Sequence, residues 1–276
     1  PSAAFPLAGY AVGPSNEMAV KAVREALERP GRKYNPLVLT GHSGLGKTHL
    51  LHATGLELAR RRGAVVACLS TQTFIDELIA AIDGDHVEWW RARYRRATAV
   101  LLDDIQLLAG KERTQEELFN LFNRFLDQDR QLVFTAPGVP GALAGLEDRI
   151  VSRLEGGLVV ELGDPDRAVR RGVLDRHFVS SGAEAALLDY LADRPVDSVR
   201  TLMNLVQRVA GAAAEKGVAV TAGLAREVLE GPSRDRRTGG LRTSGIVVSS
   251  AGGIRSREKI VWDWPEYGDR VLEEPR

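Results

Sequence analysis

A single cysteine in 276 residues, Cys68, excludes an internal disulfide, and its surroundings (AVVACLS) read as strand core, where a thiol behaves as a small buried hydrophobe. Five histidines are scattered without ligand spacing, so no zinc site is expected. No apolar run approaches the length that crosses a bilayer and no charged-then-apolar leader opens the chain, which makes the cytoplasm the expected location. The first residue is Pro1 rather than Met, so the sequence reads as a piece of a longer protein. Net charge is also missing: 37 Lys and Arg balance 37 Asp and Glu, and any contact with nucleic acid has to come from local clusters rather than a global field. What remains, 44% hydrophobic and 27% charged, is the composition of a globular chain of one to two domains.

Within that ordinary background, residues 36–53 (PLVLTGHSGLGKTHLLHA) place a glycine-rich loop between an apolar strand and a helix. The pattern G-x-x-x-x-G-K-[ST] is met by Gly41, Gly46, Lys47 and Thr48, with Gly44 in addition. Glycines let successive backbone N–H groups turn toward one anion, a lysine supplies a cation at the β- and γ-phosphates, and a hydroxyl can ligate Mg²⁺. A helix opening inside the motif adds the positive end of its dipole. The loop and its flanks, Gly41, Ser43, Gly44, Leu45, Gly46, Lys47, Thr48 and His49, therefore form the candidate site for a nucleoside triphosphate.

Five apolar runs read as strands, at residues 36–40, 64–69, 98–102, 131–135 and 157–162, separated by helical patterns. This alternation predicts an α/β fold with a five-stranded parallel sheet covered on both faces, spanning residues 1–163. Thr114 and Glu117 have the spacing of a capping box, followed by the apolar face Leu118, Leu121, Phe122, Phe125 and Leu126. From Asp164 the texture is helical alone, with Asp164 and Pro165 as cap and first-turn proline, helices near 166–179, 184–193, 198–216 and 221–230, and Gly217 and Gly231 as stops. That predicts a small all-α domain over 164–231. Residues 232–276 begin as a basic Gly- and Ser-rich linker and end in a segment with Trp262 and Trp264, in which a further domain could begin.

The run AVLLDDIQLL ends a strand in Asp103 and Asp104, and ligands of open α/β sheets sit outside such ends. Beside a phosphate loop, Asp103 is the candidate Mg²⁺ partner with Thr48, and Asp104 the residue that orients or deprotonates water. Together with YNPLVLTGHSGLGKTHLLHA, LLDDIQLLAGKERTQEELFNLFNRFL, LEDRIVSRLEGGLVVEL and DSVRTLMNLVQRV, these residues make the chain resemble, over residues 5–230, the AAA+ core of the bacterial replication initiator family, DnaA.

The resemblance implies a P-loop AAA+ αβα domain followed by a helical lid, binding ATP or ADP with Mg²⁺ and hydrolysing ATP slowly as a switch. It implies that Arg153 is an arginine finger reaching the ATP of a neighbouring subunit, with Arg149 at the same interface, and that Arg200 contacts ATP within its own subunit. Thr135 matches a polar sensor, although the family's Thr-Ser-Asp is here Thr135, Ala136, Pro137. Val12, Gly13 and Asn16 are implied around the adenine, with Tyr34 and Asn35 nearby. Implied partners are further copies of the chain or a DnaA-type initiator, stacked head to tail, and single-stranded or origin DNA. A head-to-tail contact that does not close generates a filament. The family's helix-turn-helix signature for duplex DNA is not recognisable after Pro232, and a regulator that docks on an initiator and stimulates its hydrolysis is the alternative to an initiator.

Arg91, Arg93, Arg95 and Arg96 are interleaved with Trp89, Trp90 and Tyr94 in VEWWRARYRRAT. With Lys111 they are candidates for single-stranded DNA, through phosphate contacts and base stacking. A solvated arginine face with tryptophans packed beneath it accounts for the same pattern. Arg60 to Arg62 read as cations at a helix C-terminus.

Overall fold

A computed structural model describes residues 1–179 and 183–230. These lie in one compact unit, Pro1–Pro232. The sequence readings for Gly231 and the 232–276 tail fall outside the described residues.

Five strands, β1 (Leu37–Thr40), β2 (Val66–Ser70), β3 (Ala99–Asp103), β4 (Gln131–Thr135) and β5 (Leu158–Glu161), form one sheet in the order β2-β3-β4-β1-β5 with every neighbouring pair parallel. Their continuous apolar runs follow from this position: β1 and β4 are buried along their whole length because helices cover both faces. Those helices are α1 (Glu17–Glu28), α2 (Lys47–Ala59), α3 (Thr71–Asp83), α4 (Val87–Arg96), α5 (Glu112–Asp127) and α6 (Asp148–Glu155). Cys68 is fully buried in β2, which pushes its thiol up to about 12 and leaves it inert. Arg60 is the C-cap of α2, as the dipole argument requires.

Four further helices complete the described chain, α7 (Arg167–His177), α8 (Ala185–Asp193), α9 (Val199–Lys216) and α10 (Ala222–Glu230). They enclose their own apolar cluster around Leu174, Leu187, Leu191, Leu202, Val206 and Val209. Ser198 caps α9 through the Thr201 amide, and Gly217 stops it in the left-handed region at φ 65°.

Two local expectations are corrected. The capping box at Thr114 and Glu117 does not form, because α5 begins earlier, at Glu112 after Lys111. Glu117 is drawn instead to the Arg91 guanidinium of α4, which grips it with Nε and Nη2, and both Thr114 and Glu117 turn inward. Asp166, not Asp164, caps α7: one carboxylate oxygen accepts from the Val169 amide at 3.0 Å and the other from the Ser15 amide at 2.8 Å. Asp164 is thereby left to another partner.

Candidate functional site

Because all five strands run the same way, the segments after β1, β3 and β4 meet at one edge of the sheet, and the chemistry collects there. The loop after β1 turns through three left-handed glycines, Gly41 at φ 133°, Gly44 at 88° and Gly46 at 95°. Space at Gly44 matters as much as φ, since a Cβ there would sit 2.9 Å from the Cβ of Arg200 and 3.0 Å from that of Ser198. The loop is in direct contact with the start of α9, where the Val199 amide donates to the Gly44 carbonyl at 3.0 Å.

Lys47 opens α2, buried, and its ammonium donates to the carbonyls of Gly41 (2.5 Å) and His42 (2.8 Å). Burial pulls its pKa down, opposed by the charges of Asp104 and Asp103. Asp103 is held between two hydroxyls: Thr48 Oγ1 donates to one oxygen at 2.8 Å and Thr135 Oγ1 to the other at 2.5 Å. Thr135 in turn accepts from the Asp104 amide at 2.8 Å, and Asp104 sits in the left-handed region at φ 61° with its carboxylate toward Gln106. Arg200, on α9, donates to the Ser43 hydroxyl at 2.8 Å. Thus Ser43, Lys47, Thr48, Asp103, Asp104, Thr135 and Arg200, spread over 158 sequence positions (43–200), share one edge.

Next to the loop lies a cavity of about 520 Å³, within the size range of small-molecule sites. Leu45, Gly46 and His49 form one wall, Tyr10, Ala11 and Asn16 a second, and α7 and α9 close it with Val169, Val173, Val199 and Met203. Burial pulls the His49 pKa down, and its ring meets Tyr10 edge-on at 5.1 Å. Asn16 shapes the approach: its Oδ1 accepts from the Gly13 amide at 3.0 Å and its Nδ2 donates to the Ala11 carbonyl at 2.9 Å. Gly13 is needed there because a Cβ would lie 2.6 Å from the Asp166 carboxylate, and Val12 beside it is exposed. Among the lining residues missed by sequence reasoning are Tyr10, Ala11, Val169, Val173, Val199 and Met203. The signal available for them was i,i+4 spacing, since Val169 and Val173 on α7, like Val199 and Met203 on α9, form pairs on one helix face.

Asn35 is a correction. It precedes β1, at the opposite end of the parallel strands from the phosphate loop, and its side chain is consumed by backbone: it donates to the carbonyls of Gly31 (3.0 Å) and Arg130 (2.8 Å) and accepts from the Leu132 amide (2.8 Å). Tyr34 shares that end. Both belong to the base of the sheet rather than to the cavity.

On α6, Arg149 and Arg153 both lie over the Phe119 ring, at 5.0 and 5.7 Å, and Arg149 also pairs with Glu147 at 2.5 Å. Arg153 is exposed and makes no ion pair among the described residues. In α4, Trp90 and Tyr94 are buried while Trp89 is exposed. Arg91 engages Glu88 and Glu117, Arg93 lies 3.4 Å from Glu77, and Arg95 lies 3.1 Å from Glu88. Arg96 and Lys111 are exposed without ion partners among the described residues.

Close docking of α9 on the loop gives the first expected result. Gly44→Ala loses about 1–3 kcal/mol to left-handed strain and also forces the start of α9 away, so the Val199 amide loses its protection from hydrogen exchange. Gly63→Ala, at φ 75° with open space around it, costs stability alone and leaves the Val199 amide protected. Equal exchange at Val199 in the two variants would contradict this contact.

A parallel five-stranded sheet with a glycine-rich loop after β1, two acids ending β3 and a helical cluster docked on the loop define an AAA+ P-loop fold. Residues 3–161 match the family described as the bacterial DnaA ATPase domain, and the chain belongs to that family. It is 38% identical over 223 residues to the chromosomal replication initiator protein DnaA of two Thermus thermophilus strains, covering 80% of this chain and 51% of each relative. The chain thus spans about half the length of these curated relatives. Among solved structures it is similar to domain III of Thermotoga maritima DnaA (TM-score 0.75, 29% identity, 83% of this chain and 97% of that one). It is also similar to a DnaA bound to AMPPCP and single-stranded DNA (TM-score 0.70, 32% identity, 78% and 69%).

Proposed function

We propose that this chain is the ATP-binding AAA+ core of a DnaA-type protein, acting in the initiation of chromosomal replication or its control. The observation that carries the reading is the continuity of the apolar cavity with the phosphate loop, closed by α7 and α9, with Arg200 on the loop itself. The loop takes the triphosphate through its amides and Lys47, and the cavity takes the base against Leu45, Val173 and Met203. In this reading residues 1–163 are the nucleotide domain and 164–231 the lid, and Arg200 transfers from Ser43 to the nucleotide. A solved DnaA holding an ATP analogue supports the reading by its similarity.

Thr48 and Asp103 are hard oxygen donors already 2.8 Å apart, which suits Mg²⁺. Among the described residues no cluster of three or more His, Cys, Asp or Glu forms a metal site, so water and phosphate would complete the coordination. When bound, the ion would neutralise phosphate charge. Asp104, held by the Thr135 hydroxyl at its amide, orients water for attack. Asp104→Ala is expected to retain ATP and slow turnover, and Asp103→Ala to lose the Mg²⁺-dependent part of the affinity. Hydrolysis at the parent rate in both variants would leave the acids a structural role only.

Exposed Arg153, with Arg149 beside it on Phe119, is positioned on α6 for a second copy, stacked head to tail, and serves that copy's ATP. For DNA, Arg96 and Lys111 are the groups we assign to phosphate, together with Trp89 for stacking, whereas Arg91 and Arg93 tie α4 to Glu117 and Glu77 on α5 and α3, and Arg95 pairs with Glu88 within α4. Among the described residues no helix is long and apolar enough to cross a membrane.

A further inference from the structure

We propose that His42 is a positioning residue that couples the shape of the phosphate loop to the connection leading into the helical part of the fold, and so to nucleotide affinity. The inference rests on the nucleotide reading above and adds a residue that no part of that reading uses.

Three consecutive loop residues are bound to segments on the C-terminal side of β5. The His42 ring binds Asp164 in the connection between β5 and α7, with Nε2 and Oδ1 2.7 Å apart. Ser43 accepts from Arg200 and Gly44 from the Val199 amide, both on α9. The His42 carbonyl meanwhile accepts from Lys47, so the residue that reaches the connection also holds the loop's cation. The same connection is gripped on its other side by Ser15, whose carbonyl accepts from the Gly163 amide at 2.9 Å and whose own amide donates to Asp166. The short connection is therefore held on one side by Ser15 and on the other by His42.

The ring's surroundings favour its charged form. Nε2 faces a carboxylate and Nδ1 faces the Ser43 carbonyl at 3.2 Å, so both nitrogens meet acceptors, and only the imidazolium donates to both. The charged groups around it are Asp164 on the connection, Asp197 ahead of α9, Lys47 at its carbonyl and Arg200 one loop residue away. The hydrogen bond to Asp164 raises the His42 pKa, the charges of Asp164 and Asp197 add to it, and the little burial there is opposes it. A raised histidine pKa means the tie is complete below the ordinary value and is lost as pH rises through the raised one. Side chains 49% and 69% exposed keep the effect modest, about threefold in affinity.

The test measures ATP affinity of the whole chain and of His42→Gln, His42→Lys and Asp164→Asn at about pH 6 and about pH 8.5, values either side of the histidine range. Taking the ratio of variant to parent removes the titration of ATP itself. Expected is a His42→Gln deficit of about threefold at low pH that vanishes at high pH. Asp164→Asn should show the same profile, while His42→Lys, charged throughout, keeps the low-pH affinity at both. By NMR the His42 ring titrates at lower pH in Asp164→Asn than in the parent. A pH-independent ratio in His42→Gln, or an unchanged His42 titration in Asp164→Asn, overturns the proposal while parent ATP binding leaves the site reading standing. A parent that binds no ATP at any pH overturns both.

Discussion

Lys47→Ala is expected to abolish ATP binding, with a loss of at least ~100-fold, since two or more charge-assisted hydrogen bonds of about 1.5–3 kcal/mol each go with the ammonium. The fold should survive. Among the described residues Lys47 bonds to the carbonyls of Gly41 and His42, both in the loop itself, and none of the large side chains of the core bonds to it. A nucleotide-binding assay run beside a thermal melt separates the two effects. Parent-like affinity in a folded Lys47→Ala chain would remove the phosphate loop from the reading.

If Arg153 is the finger proposed above, Arg153→Ala should behave in the opposite way, binding ATP as the parent does but losing ATP-dependent assembly. Fingers in other phosphoryl-transfer enzymes contribute ~10³ to 10⁵ in rate. Here the expected loss of turnover is about tenfold, since on the resemblance Ala136 and Pro137 stand where an acid follows the threonine. Mixing distinguishes a finger from a surface arginine: Lys47→Ala subunits, which bind no ATP but carry Arg153, should restore turnover to Arg153→Ala subunits, which have the site but not the finger. Sedimentation showing identical assembly of parent and Arg153→Ala, with no rescue on mixing, would reduce Arg153 to its contact with Phe119.

The five strands were legible from their apolar runs, most plainly β1 and β4, which are buried along their whole length, whereas β5 is only partly buried and was read from the run LVV. The phosphate loop and the acids after β3 were equally plain, each being a contiguous motif. Helix starts were less so. Asp164 and Asp166 both offer a carboxylate ahead of a helix, and the choice is made by the Ser15 amide, 151 positions earlier in the chain. Glu117 has the spacing of a capping acid and is taken by Arg91 across a helix–helix contact. The cavity walls were illegible for the same reason, being assembled from the segment before α1, the loop, α7 and α9. Asn35 was placed near the adenine by the resemblance alone, and its own side chain, bonded to the Gly31 and Arg130 carbonyls and the Leu132 amide, lies at the other end of β1 from the loop.

The most direct measurement is a structure of the chain with Mg²⁺ and a non-hydrolysable ATP analogue. The triphosphate is expected within the amides of Gly41 to Thr48, the base in the cavity between Leu45 and Met203, and Arg200 turned from Ser43 to the phosphates. An analogue bound elsewhere, or a base lying outside a cavity still closed by α7 and α9, would contradict the assignment of the site.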